Sequence, residues 1–129
     1  MTSQRYKPKN YPSVAPYLSV IDAEATIKFL LGVLDARELR KFVSPGGRVA
    51  HAELQVDDSV IMLTEGGGSF PAVASHVHVY VADVDSVYAR AIQFGAVAVQ
   101  KPIQQVDEDK RCGVSDGGGI TWWISTKMG

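Results

Sequence analysis

Donor side chains concentrate in two short stretches, His51-Ala-Glu53-Leu-Gln55 and His76-Val-His78-Val-Tyr80, which together hold every histidine of the chain. In each stretch polar and aliphatic residues alternate, and alternation sends the polar set to one face of a β-strand. His76 and His78 would then lie about 7 Å apart on that face. Three imidazole or carboxylate donors with one open position would suit a catalytic divalent ion: Glu53 and His76, joined by His51 or His78. A metal-free alternative pairs Glu53 with His51 or His76 as general acid and base. Burial would raise the carboxyl pKa and a nearby imidazolium would lower it, so the protonation state stays open at this point. Glu53 and His76 are the candidate catalytic residues. The plainer reading is a glutamate bonded to a neighbouring strand and histidines that are merely solvated.

Aromatic groups fall at the same parity. Tyr17, Tyr80 and Trp123 could stack on a planar or cationic ligand, each contact contributing about 0.5–1.5 kcal/mol beyond burial. With His51, Gln55 and His78 they make up the candidate ligand-binding set. The same rings could instead fill a cavity or a dimer interface. Trp122 and Trp123 are adjacent, so one faces a core and the other the opposite side. Arg111 reads as a surface charge, with an anion contact as the alternative, and Cys112 as a small buried filler.

These residues need strands to hold them. Val14–Val20 is short, aromatic and β-branched, and predicts a strand. Asp22 then caps a helix whose Ile27, Leu30, Leu31 and Leu34 recur at helical spacing, with Glu24 complementing its dipole. Strand-like runs follow at 38–43, 48–56 and 59–64, separated by Gly46-Gly47 and Asp57-Asp58 turns. The order then repeats: a strand over 77–81, a helix from the Asp83 cap through Phe94 with Gly95 ending it, and strands over 97–102, 110–115 and 120–126. Tyr17-Leu-Ser-Val-Ile-Asp22 aligns with His78-Val-Tyr-Val-Ala-Asp83, and Leu34-Asp35-Ala36 with Phe94-Gly95-Ala96.

The alternation predicts a two-faced sheet. Leu18, Val20, Ala52, Leu54, Val56, Val77, Val79, Val81, Trp122 and Ile124 should pack beneath the helices. Tyr17, Ser19, His51, Glu53, Gln55, His76, His78, Tyr80, Thr121, Trp123 and Ser125 should take the other face. If the sheet curves, that face becomes a lined cup, and concave aromatic surfaces with a few polar groups are where ligands bind. Otherwise it is a wetted surface, as is common in antiparallel sheets.

Composition narrows the classes. The chain has 129 residues and a net charge of −1, which fits one domain and argues against a nucleic-acid or membrane-surface binder. A single cysteine excludes an intramolecular disulfide and fits a reducing compartment, so a cytoplasmic location is expected. No run of about 18 apolar residues is present to cross a membrane, and the first residues lack the apolar core of a secretory signal.

Four segments carry a family resemblance: Pro16-Tyr-Leu-Ser-Val-Ile-Asp-Ala23, Gly47-Arg-Val-Ala-His-Ala-Glu-Leu54, Tyr80-Val-Ala-Asp-Val-Asp85 and Asp116-Gly-Gly-Gly-Ile-Thr-Trp122. In this order the chain resembles the vicinal-oxygen-chelate superfamily of glyoxalases, bleomycin-resistance proteins and extradiol dioxygenases, closest to its PhnB-like branch. The resemblance implies an α+β fold of two βαβββ modules forming a curved mixed sheet with helices outside, and a homodimer with its sites inside the cups. The expected division is a flexible tail over 1–11, modules over 12–64 and 76–129, and a glycine-rich connector over 65–75. Metal-dependent members place ligands at positions that fall here on Ala15, Glu53, His76 and Trp123. Ala15 has no donor, and the Trp123 indole has only an N–H. The closing segment also departs from the branch's usual Asp-Pro-Phe-Gly-His/Asn.

Three functions follow. The favoured one is a metal-independent binding protein for an aromatic or cationic small molecule, with no cofactor. The second is a divalent-metal lyase, isomerase or dioxygenase with an altered His/Glu site. The third is a non-catalytic dimeric interaction domain.

Overall fold

A computed structural model describes residues 6–129; the first five residues of the expected tail lie outside it. The elements are β1 (Tyr17–Val20), α1 (Ala23–Val33), β2 (Arg37–Val43), β3 (Val49–Val56), β4 (Ser59–Glu65), β5 (Ser75–Tyr80), α2 (Val84–Gln93), β6 (Val97–Gln104), β7 (Asp109–Ser115) and β8 (Ile120–Lys127). This is the expected α+β arrangement of two βαβββ modules. The first strand is shorter than its β-branched run suggested and starts at Tyr17, where pairing with β4 begins.

Both helices start and stop by the same device. The Asp22 carboxylate accepts from the Ala25 amide at 3.2 Å, and Asp83 accepts from Asp85 and Ser86 at 3.1 and 3.3 Å. These bonds satisfy amides that a first helical turn leaves unpaired. After each helix the chain turns through a positive φ, +54° at Asp35 and +95° at Gly95. The amides of Ala36 and Ala96 then return to Leu30 and Ala91, each at 3.0 Å. The faint repeat in the sequence is thus a repeat of caps.

Each module closes its own four-stranded sheet, ordered β1-β4-β3-β2 and β5-β8-β7-β6, with the outer strand parallel to its neighbour and the rest antiparallel. The aliphatic set packs as its parity requires. Leu18, Val20, Ala52, Leu54, Val56, Trp122 and Ile124 are buried, and Val77, Val79 and Val81 pack partly buried against them. All belong to one core shared by the two sheets. Helix α1 reaches into the second module, where Phe29 stacks on Trp122 with ring centroids 5.4 Å apart.

Asp116 ties the modules together. Its buried carboxylate accepts from Thr26 Oγ1 of α1 (2.9 Å), Trp122 Nε1 (3.0 Å) and the amides of Gly118 (2.7 Å) and Ile120 (3.2 Å). Four donors on one ionisable side chain make it a polar rivet in an apolar core. Gly118 is required there, since a Cβ would lie 2.6 Å from the Asp22 carbonyl oxygen and collide with Thr26. Its neighbour Gly117 meets no such obstacle but turns through a positive φ of +81°.

Candidate functional site

Because both sheets back onto one core, their polar faces look away from it, and the candidate residues fall into two groups. One expected cup is, within a single chain, two half-sites. Among the described residues no hydrogen bond, ion pair or ring contact joins the Glu53 group to the His76 group.

On the first sheet Glu53 is only 4% exposed although it lies on the polar side. It is covered by its partners. Tyr11 Oη donates to Oε1 at 2.5 Å, His51 Nε2 bonds Oε2 at 2.7 Å, and Arg40 Nε lies 3.5 Å from Oε1. Burial opposes ionisation and is the largest single influence, but the hydrogen bonds from Tyr11 and His51 and the charge of Arg40 together outweigh it, holding the carboxyl below its ordinary value. Glu53 is therefore an ionised acceptor at neutral pH. Tyr11 is shifted the other way, its phenol raised by burial and by the bond to Glu53. On its far side His51 Nδ1 meets Tyr17 Oη at 3.0 Å, and Phe42 stacks along the ring at 6.2 Å. Gln55, at the far end of β3, accepts from Arg37 at 2.7 Å and stands apart from this network. Tyr17 also borders an open cleft of about 790 Å³ shared with Ser19, Arg48, Thr64 and Phe70.

On the second sheet the aromatic groups dominate. Trp123 pairs with Gly113 across β7 and β8, and a Cβ at Gly113 would lie 2.5 Å from the indole ring. The missing side chain lets the indole lie flat on the strand. Its Nε1 donates to His76 Nδ1 at 3.0 Å, and the two rings lie 18° from parallel. The result is a fixed aromatic platform. Beside it His78 Nε2 meets Ser125 Oγ at 2.9 Å, and Tyr80 packs edge-on against His78. Arg111 Nε donates to Ser125 at 2.9 Å, while its Nη2 lies 3.3 and 3.5 Å from Asp109 and Asp107. Tyr80 Oη also donates to Asp109 at 2.7 Å. Burial, with Arg111 adding to it, pulls the His78 pKa down, so this imidazole is neutral at pH 7. A backbone hydrogen bond, aided by Arg111, holds Asp107 below its usual range. The patch around Arg111 thus carries two carboxylates against one guanidinium.

Tyr11, Arg40, Phe42, Asp109 and Gly113 were not singled out from sequence. Arg40 and Phe42 were within reach, because folding the Gly46-Gly47 hairpin sets them opposite Glu53 and His51. Tyr11 lies 42 residues from its partner, in a segment with no periodic pattern. Arg111, read as a surface charge, is half-buried in the network, and Cys112 is buried with its thiol pushed up to about 11 by burial.

The four superfamily metal positions do not fit an ion. Ala15 offers no donor, the Trp123 N–H is spent on His76, and the Glu53 oxygens are already satisfied by Tyr11, His51 and Arg40. No three His, Cys, Asp or Glu side chains converge among the described residues.

Comparison with known proteins decides the family. The model of the Glyoxalase/Bleomycin resistance protein/Dioxygenase superfamily matches residues 12–124. The chain belongs to that superfamily. Uncharacterized protein Mb0911c of Mycobacterium bovis is 31% identical over 122 residues, covering 86% of this chain and 80% of the relative. Among solved structures, TioX from Micromonospora sp. ML1 superposes with a TM-score of 0.76 at 22% identity, over 91% of this chain and 99% of TioX. TnmS3, an antibiotic binding protein from Streptomyces sp. CB03234, gives 0.69 at 16% identity, with the same 91% and 99% coverage. At such identities these superfamily structures share the fold with this chain. No helix among the described residues is long and apolar enough to cross a membrane.

Proposed function

We propose that this superfamily member is a metal-independent binding protein for a planar aromatic small molecule carrying positive charge. The observation that carries this reading is the Trp123 platform, flat over Gly113 and pinned by His76, on the same sheet face as a patch of two carboxylates and one guanidinium further along β7. A flat ring held rigid before binding loses little freedom on complex formation, and a π-face that shares a sheet face with carboxylates favours a cation. That one fold relative is an antibiotic binding protein supports binding of a small molecule. Tyr80, His78, Tyr17, His51 and Gln55 line the two half-sites that would contact it.

Two half-sites on separate sheets become one chamber if a second copy supplies the missing wall. We therefore read the protein as a homodimer in which the Glu53 face of one chain meets the His76 face of its partner. Within the superfamily the PhnB-like branch remains the nearest assignment, on the strength of the four sequence segments. A cytoplasmic location agrees with a single cysteine, which is buried. The test is a titration with ethidium, a planar aromatic cation, run beside fosfomycin, a small aliphatic phosphonate, with light scattering to fix the mass. Saturable ethidium binding by a dimer, with no response to fosfomycin, is expected. A monomer, or a dimer that binds neither, would overturn the reading, and the latter would favour an interaction domain. Ethidium binding that requires added Mn²⁺ or Zn²⁺ would favour the metal enzyme.

A further inference from the structure

Three side chains on the first sheet are wired in the order carboxylate, imidazole, hydroxyl. Glu53 is acceptor to every group around it, so the His51 Nε2 facing it at 2.7 Å carries the proton. In the neutral imidazole Nδ1 is then a bare lone pair, aimed at Tyr17 Oη 3.0 Å away. Tyr11 and Arg40 hold the carboxylate from the other side, and Phe42 lies along the imidazole, so the base has one orientation. A base oriented by a third group and bonded to a hydroxyl is the arrangement that activates a nucleophile. The hydroxyl belongs to a tyrosine on the wall of an open cleft of about 790 Å³.

We propose that Tyr17, His51 and Glu53 form an acyl-transfer relay, with Tyr17 as nucleophile toward activated carboxylic esters entering that cleft. In the step, Tyr17 Oη attacks the acyl carbon and His51 Nδ1 takes the phenolic proton. The new C–O bond replaces the bond to the leaving group, which departs as a phenoxide or similarly weakly basic oxyanion and receives the proton from His51. Water then attacks the tyrosyl ester with His51 again as base, releasing the acid and restoring the phenol. Glu53 touches neither substrate nor Tyr17 and is a positioning residue. The relay occupies the Tyr17 side of the chamber proposed above, but its readout, acyl transfer to Tyr17, is distinct from stacking on the Trp123 platform.

The chain provides its own controls. Tyr6 and Tyr80 are more exposed than Tyr17, at 72% and 62% against 58%. Tyr80 donates to the Asp109 carboxylate, which makes its phenolate harder to form. Exposure alone would therefore label Tyr6 and Tyr80 first. The intact protein is treated with p-nitrophenyl acetate at neutral pH, p-nitrophenolate release is followed, and acetylated tyrosines are located by peptide mass spectrometry. Positioned general-base assistance supplies about 10²-fold or more, so Tyr17 should acetylate at least tenfold faster than Tyr6 or Tyr80. His51→Gln should abolish that preference and Glu53→Gln reduce it, while Tyr17→Phe removes the adduct altogether. Labelling in order of exposure, or a Tyr17 preference that survives His51→Gln in a folded variant, overturns the proposal. Ethidium binding by wild-type protein is read separately, so failure of the relay and failure of the binding function give different results.

Discussion

The two polar faces come from two copies of one βαβββ module, yet they handle charge in opposite ways. On the first sheet one carboxylate is buried under three donors, and its network runs outward through His51 to a single exposed hydroxyl. On the second sheet the carboxylates of Asp107 and Asp109 sit beside Arg111, further along the strand that carries a flat indole over Gly113. The first face is built to orient one group, and the second to present a surface. The difference traces to a few positions. Arg40 and Tyr11 seal Glu53, whereas Gly113 removes the one side chain that would lift Trp123 off its strand. A repeated scaffold can thus specialise its halves without changing the cap, turn and core residues they share.

Breaking what both faces stand on should have the largest effect. Asp116→Ala leaves Thr26, Trp122 and two amides without their acceptor inside the core, and should cost about 3 kcal/mol in a denaturant titration. It should weaken both faces together. Next comes the closed network. Glu53→Gln cannot accept from Tyr11, His51 and Arg40 as a carboxylate does, and should cost about 2 kcal/mol while leaving ethidium binding at the second face in place.

Acidity separates the faces further. The folded Glu53 carboxyl lies below its unfolded value of about 4.3, so its contribution is complete above that pH and disappears as pH falls through the folded value. Wild-type protein should lose more stability between about pH 5 and pH 3 than Glu53→Gln does. Tyr11→Phe, which removes one donor, should make this loss smaller and complete it at a higher pH, while the onset stays at the unfolded value. Urea midpoints measured across that range would show both. The smallest effect on stability, and the sharpest on binding, belongs to the platform. Gly113→Ala should tilt the indole and weaken ethidium by about tenfold, equivalent to about 1.4 kcal/mol.

Much of this architecture is written in local patterns. Asp22 and Asp83, each ahead of a helical stripe, mark the helix starts, and the turn residues Asp35 and Gly95 follow the ends. Alternation along 51–56 and 76–81 separates core from polar face, and the adjacent Trp122 and Trp123 divide as the pleat demands. Other features were not legible, because they depend on contacts far apart in the chain. Nothing near Tyr11 signals that it reaches Glu53. Nothing near Asp116 shows that its fourth partner is Thr26, 90 residues away. The expectation of one continuous cup missed the shared core: aliphatic parity fixes which side of each sheet is buried, and says nothing of how two buried sides are arranged. The role of Gly113 was invisible for a related reason, since a glycine within a strand acquires meaning only from the residue opposite it.

The central claim is that the second face is a preformed stacking surface, and a calorimetric titration of ethidium into wild-type protein and Trp123→Leu, at matched thermal stability, tests it most directly. Saturable binding by the wild type, weakened at least tenfold in the variant, is the predicted result. Equal affinity in the two proteins would contradict it.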